Sequence, residues 1–266
     1  MLNEREDQAS GLRRLFRRAP PTVVAMYTCG RAPRRLAART LLELSRRSPR
    51  VLVLDEGRGD AALLAEFTGE SRGDLIHLID GTTRIGSLVS ELAPDLGHLA
   101  VAGAAMALPL LDDDRREHLI TGLHDVQKHC SLMVVHGAAD SEVRPSPFVL
   151  ASPSHLLVVE ASASGVTDAF ATIRRLAAAG AGDLAVAVAA ARDRAEAVDL
   201  FRQLDALARR RVGLPLRLIG ELGRDDLALR LLEQSPPRRE REASAAFLRR
   251  LSAWTRGEHL LGRQQA

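Results

Sequence analysis

The sequence predicts an α/β fold: a doubly wound, mainly parallel sheet forming a single domain. Three observations lead there. Short, continuous apolar runs of strand length recur along the chain, among them TVVAMY, RVLVLD, SLMVVHG, HLLVVEA and DLAVAVAA. Between them lie longer stretches whose apolar residues fall at the helical spacing of three and four. Strands that are apolar at nearly every position are buried on both faces, and helices between parallel strands provide that cover. The chain has 266 residues, 46% hydrophobic and only 3% aromatic, which suffices for one core built mainly from Leu, Val, Ile and Ala.

Taken in order, residues 5–18 read as a short basic helix, cut off from the body by Pro20-Pro21. TVVAMY is the first strand, and RRLAARTLLELSRR the helix that follows a turn containing Pro33. RVLVLD is the second strand and ends on Asp55. AALLAEF, GDLIHLIDG and GSLVSELA read as short helical pieces, and HLAVAGA as a strand. DDDRREHLITGLHDVQKHC is a helix whose Asp112, Asp113 and Asp114 suit its N-terminus, followed by the strand SLMVVHG. The strand HLLVVEA leads into the helix GVTDAFATIRRLAAAG, which a glycine closes. DLAVAVAA, AEAVDLFRQLDALARR, LRLIGEL and DDLALRLLEQ then alternate strand and helix. SPPRRERE, residues 235–242, is a charged linker, and EASAAFLRRLSAWTR a last helix. The organisation is an N-terminal helix over 1–19, an α/β domain over 20–235, and a linker with a C-terminal amphipathic helix over 236–266. No internal repeat is visible.

Composition narrows the function classes. No apolar run approaches the roughly 18–20 residues that span a bilayer. The start, MLNEREDQASGLRRLFRR, lacks the apolar region of a secretory signal, so a cytoplasmic location is expected. Cys29 and Cys130 suit a reduced thiol state and are too few for a metal site without histidines. The net charge of +3 is spread along the chain, so a nucleic-acid partner is not expected. The positive charge is almost wholly arginine; Lys128 is the only lysine, and so the only candidate for lysine-dependent chemistry.

Two segments carry a family resemblance. DQASGLRRL, from Asp7 to Leu15, resembles the N-terminal D-Q-A-x-x-L-R signature of the FlhG/FleN flagellar-number regulators, within the MinD/ParA class of P-loop ATPases. VVEASASGVTDAFATIRRL is similar to that family's strand–turn–helix ending in T-D-A-Y-x-x-I-K. The order of elements between and after them also fits, so the resemblance covers nearly the whole chain and implies a P-loop NTPase-like fold of the MinD/ParA type. It implies that Asp7, Gln8, Ala9, Gly11, Leu12 and Arg13 contact a signal-recognition-type GTPase, FlhF, and stimulate it. Ala9, Leu12, Leu15 and Phe16 recur at helical spacing and would give that element an apolar stripe. Flagellar basal-body or regulatory proteins are further implied partners, and the inner membrane or the cell pole an implied place of action.

The departures are as telling. The family carries K-G-G-V-G-K-T after its first strand. Laid on that pattern, Gly30 takes the place of the first lysine, and Arg31 and Ala32 take those of the two glycines. Pro33 stands for the valine, Arg34 for the last glycine, Arg35 for the second lysine and Leu36 for the threonine. Phosphate loops use glycines so that successive backbone N–H groups can face the phosphates. Arg31 and Arg34 lack that freedom, Pro33 has no N–H, and Leu36 has no hydroxyl for Mg²⁺. The family's L-D-A-D reads LDEG here, so Asp55 remains while Gly57 replaces the second aspartate. The family's D-T-A-A-G aspartate falls on Val135, followed by His136. With those parts changed, ATP hydrolysis is not expected, because phosphoryl transfer is almost wholly positioning and charge neutralisation. No cofactor is expected beyond weak ATP or ADP binding. The arginines have three readings: a solvated helix start, filling of the vacated pocket, or binding of another anion.

The expected function is that of a cytoplasmic, non-hydrolysing binding protein. An ATPase with an arginine-containing loop and a ParA-like DNA-binding protein are the alternatives. Near the C-terminus, Phe247, Leu251 and Trp254 form an apolar stripe flanked by Arg249, Arg250 and Arg256, which suits either docking on the domain or contact with anionic lipid. His124, Lys128, His129 and Cys130 cluster at a helix end, where cations suit the dipole; their spacing is not that of a metal site.

Overall fold

The structure, a computed structural model, describes residues 21–59, 62–79, 81, 83–137, 144–233 and 240–253, with the backbone alone for 240–245. Eight strands form one sheet: β1 (Thr22–Cys29), β2 (Val51–Asp55), β3 (Ser90–Ala93), β4 (Leu96–Ala100), β5 (Leu132–His136), β6 (Ser154–Glu160), β7 (Leu184–Ala189) and β8 (Arg217–Glu221). Their order is β3-β4-β2-β5-β1-β6-β7-β8. Every neighbouring pair is parallel except β3–β4, which is antiparallel. This is the doubly wound sheet that the apolar runs predict.

The helices are α1 (Pro33–Arg47), α2 (Ile85–Leu88), α3 (Ala102–Ala107), α4 (Asp113–Gln127), α5 (Pro147–Ala151), α6 (Ala163–Ala178), α7 (Arg194–Val212), α8 (Leu227–Glu233) and α9 (Glu240–Ala253). Successive strand residues point to opposite faces, so each central strand feeds two cores. Val23, Ala25, Tyr27 and Cys29 of β1 pack with α4, α6, α7 and α9 on one face. Val24 and Met26 pack with α1 and α8 on the other. Local signals set several boundaries. Pro33 opens α1 at a position where the missing N–H costs nothing, and Arg46 and Arg47 suit its C-terminal dipole. Asp112 caps α4 by accepting from the Arg115 N–H.

Four stretches depart from the sequence reading: HLAVAGA, read as a strand, leaves β4 at Ala100 and enters α3 at Ala102, and three others differ as follows. GSLVSELA divides: a helical turn ends at Leu88, and Ser90–Ala93 extends as an edge strand against β4. Pairing with β4 overrides a pattern that is ambiguous over so few residues. AALLAEF shortens to a 3₁₀ turn over Leu63–Glu66. The tract read as a linker over 235–242 already belongs to α9 from Glu240 onward. The helix α5, capped by Ser146 with Pro147 at its first position, had a signature that the reading passed over.

The topology also creates the site. The strands β2 to β5 lie on one side of β1, and β6 to β8 on the other. The connections leaving β1 and β6, which are neighbours, therefore run in opposite directions. In open α/β sheets the ligand crevice lies at the carboxyl ends of such a pair.

Candidate functional site at the carboxyl edge of the sheet

The loop after β1 runs Gly30-Arg31-Ala32 into α1. Its N-terminal turn holds no acidic residue and has no side-chain cap. Instead, a carboxylate arrives from the neighbouring strand: the Arg31 N–H donates to Oε2 of Glu160 at 2.8 Å. Gly30 makes room for it. A Cβ at this position, where φ is +153°, would lie 2.3 Å from the same oxygen. Thr28 Oγ1 donates to the Pro33 carbonyl at 2.8 Å and ties the loop back to β1. The arginines turn elsewhere. Arg34 Nε donates to Glu66 Oε1 at 2.6 Å, and Arg35 Nε lies 3.8 Å from Glu66 Oε2. The Arg31 residue is exposed.

Asp55 ends β2 and is 1% exposed. Its carboxylate accepts four hydrogen bonds. Oδ1 takes the Gly57 N–H at 3.0 Å and His136 Nδ1 at 3.0 Å. Oδ2 takes the Leu63 N–H at 2.8 Å and His98 Nε2 at 3.2 Å. Because a carboxylate only accepts, both imidazoles present an N–H to it. Burial raises the Asp55 carboxyl, but the hydrogen bonds from His136 and His98, the His136 charge and the Gly57 N–H outweigh it and hold the group well below the usual carboxylate range. The register explains the meeting: Asp55 of β2 pairs with His136 of β5, and β4, on the other side of β2, carries His98. The side chain that reaches Asp55 is His136, while Val135 is buried in the apolar core. The Leu63 turn also carries Glu66, so Asp55, the turn and the Arg34 pair form one connected assembly.

Other candidates separate from this edge. The stretch containing Asp7, Gln8, Ala9, Gly11, Leu12 and Arg13 lies outside the described residues, as does Trp254. Phe247 and Leu251 of α9 are fully buried in the core cluster on one face of the sheet, and α9 packs against α4, α5 and β1. Lys128 Nζ pairs with Asp125 Oδ1 at 2.9 Å, which lowers the Asp125 carboxyl, and both groups are exposed. Among the described residues, no three His, Cys, Asp or Glu side chains gather in a metal-holding group. An open groove of about 540 Å³ lies between the first turns of α6 and α7. Several of its polar groups are engaged: Ser162 caps α6, Asp193 caps α7, and Glu196 holds Arg192.

Sequence reasoning missed Glu160, Glu66, His98 and His136. His136, noted only as the residue after Val135, ends a strand, and a polar residue at the carboxyl end of an apolar strand is a signal that could have been used. Glu66 and Glu160 gave none, because their partners lie 32 and 129 residues away in the chain.

No protein-family model and no curated protein matches this chain. Solved structures do. A ParA family ATPase from Chlorobium tepidum aligns at a TM-score of 0.51 and 15% identity, over 90% of this chain and 98% of that one. The Cyanothece McdA(D38A)–ATP complex aligns at 0.51 and 16%, over 94% and 100%. The MinD cell division protein of Aquifex aeolicus gives 0.49 and 15%, over 89% and 97%. At these identities the likeness establishes the fold, and it rests on the first two: the chain has the single-domain fold of the ParA-type P-loop ATPases.

Proposed function

We propose that the chain is a non-hydrolysing relative of the MinD/ParA ATPases that works as a binding protein in flagellar biosynthesis, in the manner its resemblance to FlhG/FleN implies. The observation that carries the non-hydrolysing reading is the saturation of Asp55. A carboxylate has about four lone-pair directions, and all four are taken by two backbone amides and two imidazoles. None is left for Mg²⁺ or an attacking water. The loop gives the same result. Pro33 has no N–H, the Arg31 N–H is occupied, Leu36 has no hydroxyl, and Arg34 is bound to Glu66. On this reading the chain holds ATP or ADP weakly at most and does not hydrolyse it.

Function on this reading passes to the N-terminal motif, with Gln8 and Arg13 reaching into a signal-recognition-type GTPase of the FlhF kind. The same reading puts the chain in the cytoplasm, at the inner membrane or the cell pole. The full chain should show no ATP turnover in Mg²⁺, and wild type should stimulate the GTPase whereas the Gln8→Ala, Arg13→Ala double variant should not. Turnover that disappears in Arg35→Ala would establish an arginine-loop ATPase instead. Equal stimulation by the double variant would remove the partner.

A further inference from the structure

We propose that Glu160 is an internal latch: it fills the crevice at the switch point with the chain's own carboxylate and keeps phosphate-bearing ligands off the loop after β1. This inference rests on the reading of that loop as a non-hydrolysing site and is independent of the flagellar partner.

The latch is built from both sides. The pairing of Cys29 with Val159 brings Glu160, the last residue of β6, level with Gly30. The carboxylate then reaches the Arg31 N–H at 2.8 Å. On the loop side, a Cβ on Gly30 would lie 2.3 Å from Oε2 and 2.7 Å from the Glu160 Cβ. On the other side, a Cβ on Gly165 in α6 would lie 2.2 Å from the Glu160 carbonyl oxygen and 3.2 Å from that of Cys29. Two positions without a side chain thus let a loop and a helix close on one glutamate. The Glu160 carbonyl also accepts the Ser162 N–H at 2.7 Å, and the next residue, Ala161, donates to Ala189. The carboxylate therefore stands on a strand end that is fixed through its backbone.

Charge favours the arrangement. The start of α1 has no side-chain cap and no acidic residue, so its positive end favours an anion. Glu160 supplies one from within the chain. A phosphate arriving there needs the same Arg31 N–H, the same space beside Gly30, and tolerance of a second negative charge. Both groups cannot be held at once.

The test titrates inorganic pyrophosphate into the full-length wild type, Glu160→Gln and Glu160→Ala by calorimetry, with exchange of the Arg31 amide followed in parallel. Wild type should give no heat at millimolar ligand, Glu160→Ala should bind about tenfold or more tightly than wild type, and Glu160→Gln, which removes the charge but keeps volume and an acceptor for the Arg31 N–H, should fall between the two. The Arg31 amide should exchange faster in Glu160→Ala. Glu160→Gln keeps the side-chain volume and carries the test if the alanine variant fails to fold. Equal affinity in all three proteins, including no binding in any, overturns the latch, and so does unchanged exchange at Arg31. ATP turnover by wild type would defeat the non-hydrolysing reading separately, whatever pyrophosphate does with the variants.

Discussion

Two acidic groups stand near each other at the carboxyl edge of the sheet, and they live in different solvents. Asp55 is 1% exposed, and its imidazole partners His98 and His136 have side chains 4% and 9% exposed. Glu66 sits one turn away and holds Arg34 and Arg35, whose side chains are 38% and 82% exposed. Formally, both are acid–base pairings. Water screens the second and is excluded from the first, so the first cannot be broken without leaving buried donors unpaired. The second can be broken at little cost. The assembly is thus rigid at its buried end and soft at its arginine end.

The largest expected effect is on the buried side. Asp55→Asn keeps the shape but turns an amide NH₂ toward existing donors, and should lower stability by about 3 kcal/mol in urea titration. The pH dependence follows from the direction of its shift. The folded carboxyl lies below its unfolded value of about 3.9, so its contribution is complete above that value and is lost as pH falls through and below it. The gap between wild type and Asp55→Asn should therefore narrow below about pH 4. A gap that stays constant down to acid would mean Asp55 is not held as an anion.

Next comes the loop. Gly30→Ala should cost about 2 kcal/mol, since its Cβ would meet the Glu160 carboxylate. The cost should shrink only in part in a Glu160→Ala background, which removes the carboxylate contact and keeps the 2.7 Å contact with the residue-160 Cβ, giving a coupling above about 0.5 kcal/mol in a double-mutant cycle. Additive costs would mean that the Glu160 carboxylate plays no part in the need for glycine at this position. The smallest effects belong to the exposed pairs. Arg34→Ala should cost under about 1 kcal/mol, less in high salt, and Arg35→Ala under about 0.5 kcal/mol by thermal melting. If Arg35→Ala costs as much as Asp55→Asn, the contrast between the two ends of the assembly fails.

Much of the fold was legible because its signals are local. Strands such as LAVAVA of β7 are apolar at every position and bury all of them, and Pro33 and Asp112 mark helix starts by chemistry confined to one turn. The edge strand β3 was not legible, because four residues carry too little pattern and only β4 makes them extend. At the site, Gly30, Arg31, Arg34 and Arg35 were singled out by the loop position and Asp55 by the end of the second strand. Their partners could not, since nothing near Arg31 in the chain points to Glu160.

By itself, then, the sequence determined the alternation of strand and helix, the turn that follows β1, and the residue types available in that turn. Each depends on periodicity or on backbone chemistry within a few residues. Only the tertiary structure decided what those residues do. Strand order set Glu160 beside Gly30, and register set His136 against Asp55. Burial then made one carboxylate a buried anchor and left the other in reach of water, because the strength of a charge pairing is set by the medium around it rather than by the residues that form it.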